Sequence, residues 1–387
     1  MDTIICSSTA YRYWRMPPVV QLLTVGPEDD YLLRKMMTAD DLFTLRLELA
    51  QTLPLSAACA SGGAWRAAGE DARRIRELHP LLAPAAKAPI DILVHETKRC
   101  HRSTLIKPRL WSAELPVGAL TQIASDAYVT SPAFTLLQLA ATNNLTRTVL
   151  LASELCGSFS VFKAPAPIAR VLQQLIDRRA LPEIDGWRPA LKDGRLTDLW
   201  TRPPLIDPAD LRMIAAASDA RNGKATLSKA AELVVPGAAS PLEVQTGVLL
   251  GFPRRLGGEG ISGFRHNERV GLSSEAKTLA KRDYCSCDLY WDDGLDIECQ
   301  SAQYHSNLED YLSDSERAAA LKLMGVEVLP VTYSQLAEEA RFDALVSVIS
   351  RIRDLKLSKK SDRQRAKTLE LRREVFCDWS SLPDRRK

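Results

Sequence analysis

The stretch "YCSCDLYWDDGLDIECQSA", residues 284–302, limits the fold of this chain more than any other. Its two short apolar runs read as strands, and the Asp-Asp-Gly between them is a hairpin signal. "LSDSERAAALKLMG" follows as a predicted helix, with Ser313 as cap and Gly325 as stop. "VEVLPVT" then reads as a further strand, while upstream "SPLEVQTGVLLGF" has Ser240 as N-cap and Pro241 at the first helical position. The predicted order is helix, strand, strand, helix, strand, which is an α/β unit.

The same stretch carries an anomaly. Glu298 sits on a predicted core strand, where an unpaired charge is costly. Gln300, two residues on, shares its face. Asp288 stands on the neighbouring strand, and Glu243 near the start of the preceding helix. Asp288 and Glu298 from adjacent strands suit Mg²⁺ (or Mn²⁺), a hard cation that takes oxygen ligands. Such an ion activates water and neutralises charge on a phosphate. The plainer alternative is that these are solvent-facing residues at strand ends. Asp314 and Arg317 are i, i+3 neighbours that can pair on a helix.

With 387 residues the chain has room for two or three domains. Residues 1–165 read as one α/β unit. "STAYRYWRMPP" is a short helix capped by Ser8 or Thr9, "APIDILVHE" a strand, and "DAYVTSPAFTLLQLAAT" a strand followed by a helix capped at Ser131. Residues 166–210 are proline-rich and read as a linker with short helices. Residues 211–350 hold the second α/β unit, and residues 351–387 a charged tail with helical character.

The composition is 45% hydrophobic and 26% charged with a net charge of +3, ordinary for a globular chain and permissive of nucleic acid. No run of about 18 apolar residues marks a membrane span. The opening "MDTIICSSTAYRYWR" lacks the form of a secretory signal, so a cytoplasmic location with the eight cysteines as free thiols is expected. Cys285, Cys287, Cys299 and His305 lack the paired spacing of structural zinc; a Cys-x-Cys on one strand face reads as buried small hydrophobes. His95, Lys98, Arg99, His101 and Arg102 form a basic cluster after a predicted strand, either a solvated loop or a phosphate-binding patch.

The run from Asp288 through Glu298, His305, Asp314 and Arg317 to "GVEVLPVT" resembles the endonuclease-like domain related to very-short-patch repair endonucleases, within the PD-(D/E)XK superfamily. The likeness covers roughly residues 238–340. It implies a mixed sheet flanked by helices, with Asp288 and Glu298 as metal ligands and Glu243 as an auxiliary carboxylate. His305 would meet the scissile phosphate or transfer a proton, and Arg317 would contact phosphate or pair with Asp314. Gln300 stands where the superfamily usually has lysine. In the N-terminal half, "STAYRYWR", "YVTSPAFTLLQLA" and "ELCGSF" are similar to the abortive-infection type IV antitoxin AbiEi. That likeness implies a phage-defence or toxin–antitoxin setting, with DNA and a toxin-like protein as partners. The two likenesses imply a Mg²⁺-dependent endonuclease acting on DNA, or else a regulator that keeps the nuclease fold as a binding platform.

Overall fold

The computed structural model describes residues 3–52, 89–96, 105–219, 222–300 and 308–384, which divide into two compact units. The chain is mixed α/β, with mixed sheets flanked by helices. Among the described residues no helix is long and apolar enough to cross a membrane.

The first unit comprises residues 1–148, 160–231 and 380–387. Its helices begin with α1 (Ser7–Trp14), α2 (Pro18–Val25), α3 (Tyr31–Met36) and α4 (Ala39–Thr52). A five-stranded sheet has the order β3-β2-β1-β5-β4, built from β1 (Thr3–Ile5), β2 (Ile90–Val94), β3 (Ile106–Leu110), β4 (Leu120–Ala124) and β5 (Ala127–Thr130). β1 runs parallel to β5 and antiparallel to β2. Ile5, Val20, Leu23, Leu45, Ile92 and Val129 are among the residues that close its core.

Ser131 caps α5 (Pro132–Ala140) by position, with Pro132 at the first turn, as the sequence predicts. At α1 the cap differs. Cys6 takes that place, and Thr9 instead accepts a hydrogen bond at Oγ1 from the Asp91 N–H, 2.9 Å away. The β2 strand therefore recruits a hydroxyl that local sequence assigns to the helix start.

After α6 (Leu145–Leu155), the proline-rich stretch from 166 onward forms more than a linker. α7 (Ala166–Asp177) buries Ile168, Leu172 and Leu175 on one face. β7 (Arg188–Lys192) and β8 (Arg195–Thr201) join β6 (Phe159–Val161) in a three-stranded sheet of order β6-β8-β7. The β7–β8 turn is Asp193-Gly194, both with positive φ (49° and 73°), the backbone that a two-residue hairpin demands. Pro167 and Pro208 sit at helix starts, Pro189 on the edge strand β7, and Pro182, Pro203 and Pro204 outside the regular elements, where they do no harm. α8 (Pro208–Ala217) and α9 (Lys224–Leu233) follow.

The second unit comprises residues 149–159 and 232–379. It runs α10 (Pro241–Gly251), β9 (Arg265–Gly271), α11 (Ser274–Ala280), β10 (Tyr284–Tyr290), β11 (Leu295–Gln300), α12 (Leu308–Leu323), β12 (Glu327–Thr332), α13 (Tyr333–Ala337), α14 (Glu339–Ile352) and α15 (Asp362–Val375). Its sheet has the order β12-β11-β10-β9. β9, β10 and β11 are antiparallel neighbours, and β12 pairs parallel to β11 after the α12 crossover. Pro330 has no N–H to donate and lies on the edge strand, where a proline is tolerated.

The β10–β11 hairpin forms at "WDDG" as predicted, with Gly294 at φ 87°. α12 starts at Leu308, so Ser313 lies inside the helix rather than capping it. The charged tail does form a helix, but α15 is not simply solvated. Its Leu371 and Val375 are buried, and buried Arg372 donates to the carbonyls of Leu336 and Ala337 that end α13. Arg372 also lies over the rings of Phe342 and Phe376. Its stem packs while its head satisfies carbonyls left open at a helix end.

Candidate functional site

The candidate site is a buried knot of acids in the second unit. Its foundation is local. Ser240 is extended (φ −153°) and caps α10, its hydroxyl accepting from the Glu243 N–H at 3.2 Å. The same hydroxyl donates to Glu243 Oε1 at 2.8 Å. Glu243 Oε2 accepts from the Ala239 N–H and from Asn267 Nδ2, each at 2.7 Å. The helix N-terminus also favours a negative charge here. Even so, burial dominates and pushes the Glu243 carboxyl up to about 7, the three hydrogen bonds opposing and the Glu298 charge adding. Replacing Ser240 with alanine is expected to lower stability by about 1 kcal/mol, the usual value of an N-cap hydroxyl. A urea titration checks this; an unchanged midpoint would mean that the cap does not hold the helix start.

Asn267 reaches Glu243 because its backbone is left-handed, with φ 50°. It stands opposite Asp288, between the paired positions Glu268↔Cys287 and His266↔Leu289. Its amide also donates to the Gly237 carbonyl at 2.9 Å. Asp288 Oδ2 accepts from the Cys299 N–H at 2.9 Å, which ties β10 to β11. Burial, then the Glu243 and Glu298 charges, push the Asp288 carboxyl up to about 8.

The period of two divides β11. Cys299 Sγ lies 3.4 Å from Thr246 Oγ1 of α10, so that face looks toward α10. Asp296, Glu298 and Gln300 share the opposite face. There Arg317 of α12 donates to Glu298 Oε1 and to the Ser286 carbonyl, and lies 3.7 Å from Asp296 Oδ2. Asp296 is 0% exposed, and neither of its oxygens has a hydrogen-bond partner among the described residues. Burial, then the adjacent Glu298 carboxylate, push the Asp296 carboxyl up to about 9. On the same side, Cys285 and Cys287 pack with Ala276, Ala320 and Leu321 as small apolar residues.

His266 completes the knot. Its Nδ1 is 3.1 Å from the Asp288 carbonyl oxygen and 4.0 Å from Glu243 Oε2. Burial holds its ring neutral by lowering it to about 4, against the pull of the Asp288 carbonyl.

The structure thus gathers four of the predicted residues, Glu243, Asp288, Glu298 and Arg317. It adds Asp296, His266, Asn267 and Cys299, which sequence reasoning missed. The same-face rule applied backwards from Glu298 would have found Asp296; the others depend on the left-handed backbone of Asn267 and on a helix packing across the sheet. Gln300 is exposed at the end of β11, paired with Thr332. His305, Lys98, Arg99, His101 and Arg102 lie outside the described residues, as does the side chain of Asp314. The partners that Arg317 shows are therefore Glu298, Asp296 and a carbonyl. His95 is exposed, its Nδ1 3.1 Å from the Trp111 carbonyl oxygen.

Among the described residues no three of His, Cys, Asp and Glu are arranged as a metal cluster. The donors are nevertheless of the right kind for a hard cation. They are carboxylate oxygens, and Arg317 faces two of the four acids, Glu298 and Asp296. As bonded, Glu298 is committed to Arg317 and both Glu243 oxygens are satisfied, so a cation would compete with Arg317 for Glu298.

Comparison of the chain with protein-family models, with curated proteins and with solved structures gave no match.

Proposed function

We propose that the second unit is a divalent-cation-dependent endonuclease of the PD-(D/E)XK kind, acting on DNA phosphodiesters. The observation that carries this reading is the surplus of buried carboxyl groups. Glu243, Asp288, Asp296 and Glu298 cluster around β10 and β11, Arg317 pairs with Glu298 and lies 3.7 Å from Asp296, and three of the four acids are raised to between about 7 and 9. Soluble proteins rarely retain such a surplus without a use for it. The order α10-β9-α11-β10-β11-α12-β12, with β11 and β12 parallel, supports the same reading.

Asp288 and Glu298 would hold Mg²⁺ or Mn²⁺, which supplies a polarised water and a neutralising charge at the phosphate. Glu243 orders the strand side of the site through Asn267, and neutral His266 holds the Asp288 backbone in place. Arg317, once Glu298 turns to a cation, is a guanidinium in position for a phosphate oxygen. In this reading the first unit is an AbiEi-like domain in a phage-defence or toxin–antitoxin setting. A toxin-like protein would be its partner, and the cytoplasm its location.

A second reading is a non-catalytic DNA-binding regulator. The Arg317–Glu298 pair favours it, because that bond occupies a would-be ligand. Gln300 favours it too, since an uncharged amide replaces a lysine that would orient water. A plasmid-nicking assay with Mg²⁺ and Mn²⁺ separates the two. Cleavage by the wild type is expected, with a loss of roughly 100-fold or more in Asp288→Ala and in Glu298→Ala. DNA retarded in a gel but never nicked would leave only the binding platform.

A further inference from the structure

A second site lies behind the acids. A cavity of about 280 Å³ in the same unit opens among α10, the start of β9 and α6. Val149, Val248 and Phe264 supply apolar wall, and His266 brings a ring nitrogen to it. The His266 side chain is 3% exposed. Its Nδ1 faces a carbonyl oxygen, which can only accept, so the proton of the neutral ring sits there. Nε2 is left as an acceptor, and no described residue donates to it. Gly247 keeps the approach clear: a Cβ there would stand 3.2 Å from Nε2 and 2.9 Å from the Phe264 ring. Phe264 meets His266 edge to face, with centroids 5.1 Å apart, so the wall beside the acceptor is aromatic.

We propose that this cavity binds a small neutral bicyclic heteroaromatic molecule whose ring N–H donates to Nε2 of His266. The volume decides the size, since a cavity of about 150 Å³ holds one benzene ring. Val149, Val248 and Phe264 decide for an apolar ring body, and Glu232 on the lining with Glu243 beside His266 decides against an anion. The unpartnered acceptor at the cavity wall decides for a donor. The occupant would pin the ring that holds the Asp288 carbonyl and lies beside Glu243, so it sits one residue from the acid knot. Nothing in this inference depends on the nuclease reading.

The test uses the full chain and two probes of matched shape, indole and benzothiophene, the second lacking the N–H. Ligand-observed NMR is expected to show saturable indole binding, with benzothiophene weaker by roughly tenfold. Val248→Phe, which fills the cavity, is expected to abolish indole binding while the circular dichroism spectrum stays that of the wild type. Failure of indole to bind, equal binding of both probes, or indole binding retained in a folded Val248→Phe would each overturn the proposal. Should that variant not fold, the two-probe comparison on the wild type decides alone.

Discussion

Arg317→Met is expected to lower the stability of the second unit by about 3–5 kcal/mol at neutral pH, the scale seen when one partner of a buried ion pair is removed. Methionine fills much of the space of the arginine stem, so the loss reports on charge rather than on packing. The guanidinium side chain is only 16% exposed and is bonded to Glu298 and to the Ser286 carbonyl, with wholly buried Asp296 at 3.7 Å. Without it, Glu298 stands beside three acids and has no cation to face. Guanidinium titrations at pH 7 and pH 5 check this. The deficit is expected to shrink at pH 5, where Glu243, raised to about 7, is protonated and its repulsion is relieved. Mg²⁺ or Mn²⁺ is expected to restore part of the lost stability in the variant and to do less for the wild type, because Arg317 no longer competes for Glu298. An unchanged midpoint at pH 7 would show that the pair is ornamental. A deficit indifferent to divalent cations would remove Glu298 from the list of ligands.

Asp288→Asn is expected to have the opposite sign and to stabilise the unit above about pH 8. Ordinary carboxyl values are 3.8 for Asp and 4.5 for Glu; in the fold Asp288 is raised to about 8 and Glu243 to about 7. Groups raised on folding leave the native state holding more protons than the unfolded chain. Their contribution is therefore fully present below about pH 4 and is lost as pH climbs through 7 and 8. The slope for one such group approaches about 1.4 kcal/mol per pH unit within that window. Asparagine keeps an acceptor oxygen for the Cys299 N–H and removes the charge that burial and Glu243 oppose. The melting temperature of the wild type is expected to fall between pH 5 and pH 9, and that of Asp288→Asn to fall less. Divalent cations should flatten the wild-type profile and release protons on binding, since ligand carboxylates must be charged. Calorimetry in two buffers of different ionisation enthalpy reads that release. A wild-type melting temperature that rises steadily from pH 5 to pH 9 would show that these acids are ionised at no cost.

The elements that could be read from the chain are those whose signals are short. Ser240-Pro241 starts α10, Ser131-Pro132 starts α5, Asp-Asp-Gly turns β10 into β11, and "VEVLPVT" is β12. Each rests on a residue whose own dihedral preference or hydrogen bond does the work. The elements that escaped are those where distant contacts override local preference. β9 reads "RHNERVG", too charged for an expected strand, and Asn267 breaks its alternation by turning left-handed to reach Glu243. Thr9 serves β2 rather than its own helix. The 166–210 stretch looks like a linker because its prolines are counted, although Asp193-Gly194 marks a hairpin inside it.

The candidate site divides the same way. That Glu298 needs a partner follows from one charged residue on a core strand, and that Glu243 can reach a helix cap follows from the spacing Ser-x-x-Glu. Which partner Glu298 takes is decided only by the α12 crossover. The crossover places Arg317 over the Asp296–Glu298 face, and the alternation of β11 turns Cys299 toward α10. The physical reason is range. Caps, turns and strand faces are set within a few residues, so the chain by itself determined the helix, hairpin, helix and strand from Pro241 to Thr332 and three of the four acids, Glu243, Asp288 and Glu298. Burial and charge coupling act between residues far apart in the chain. Only the packed sheet decided that Asp296 and Glu298 share one guanidinium, and that a histidine read from no motif joins the acids to a cavity.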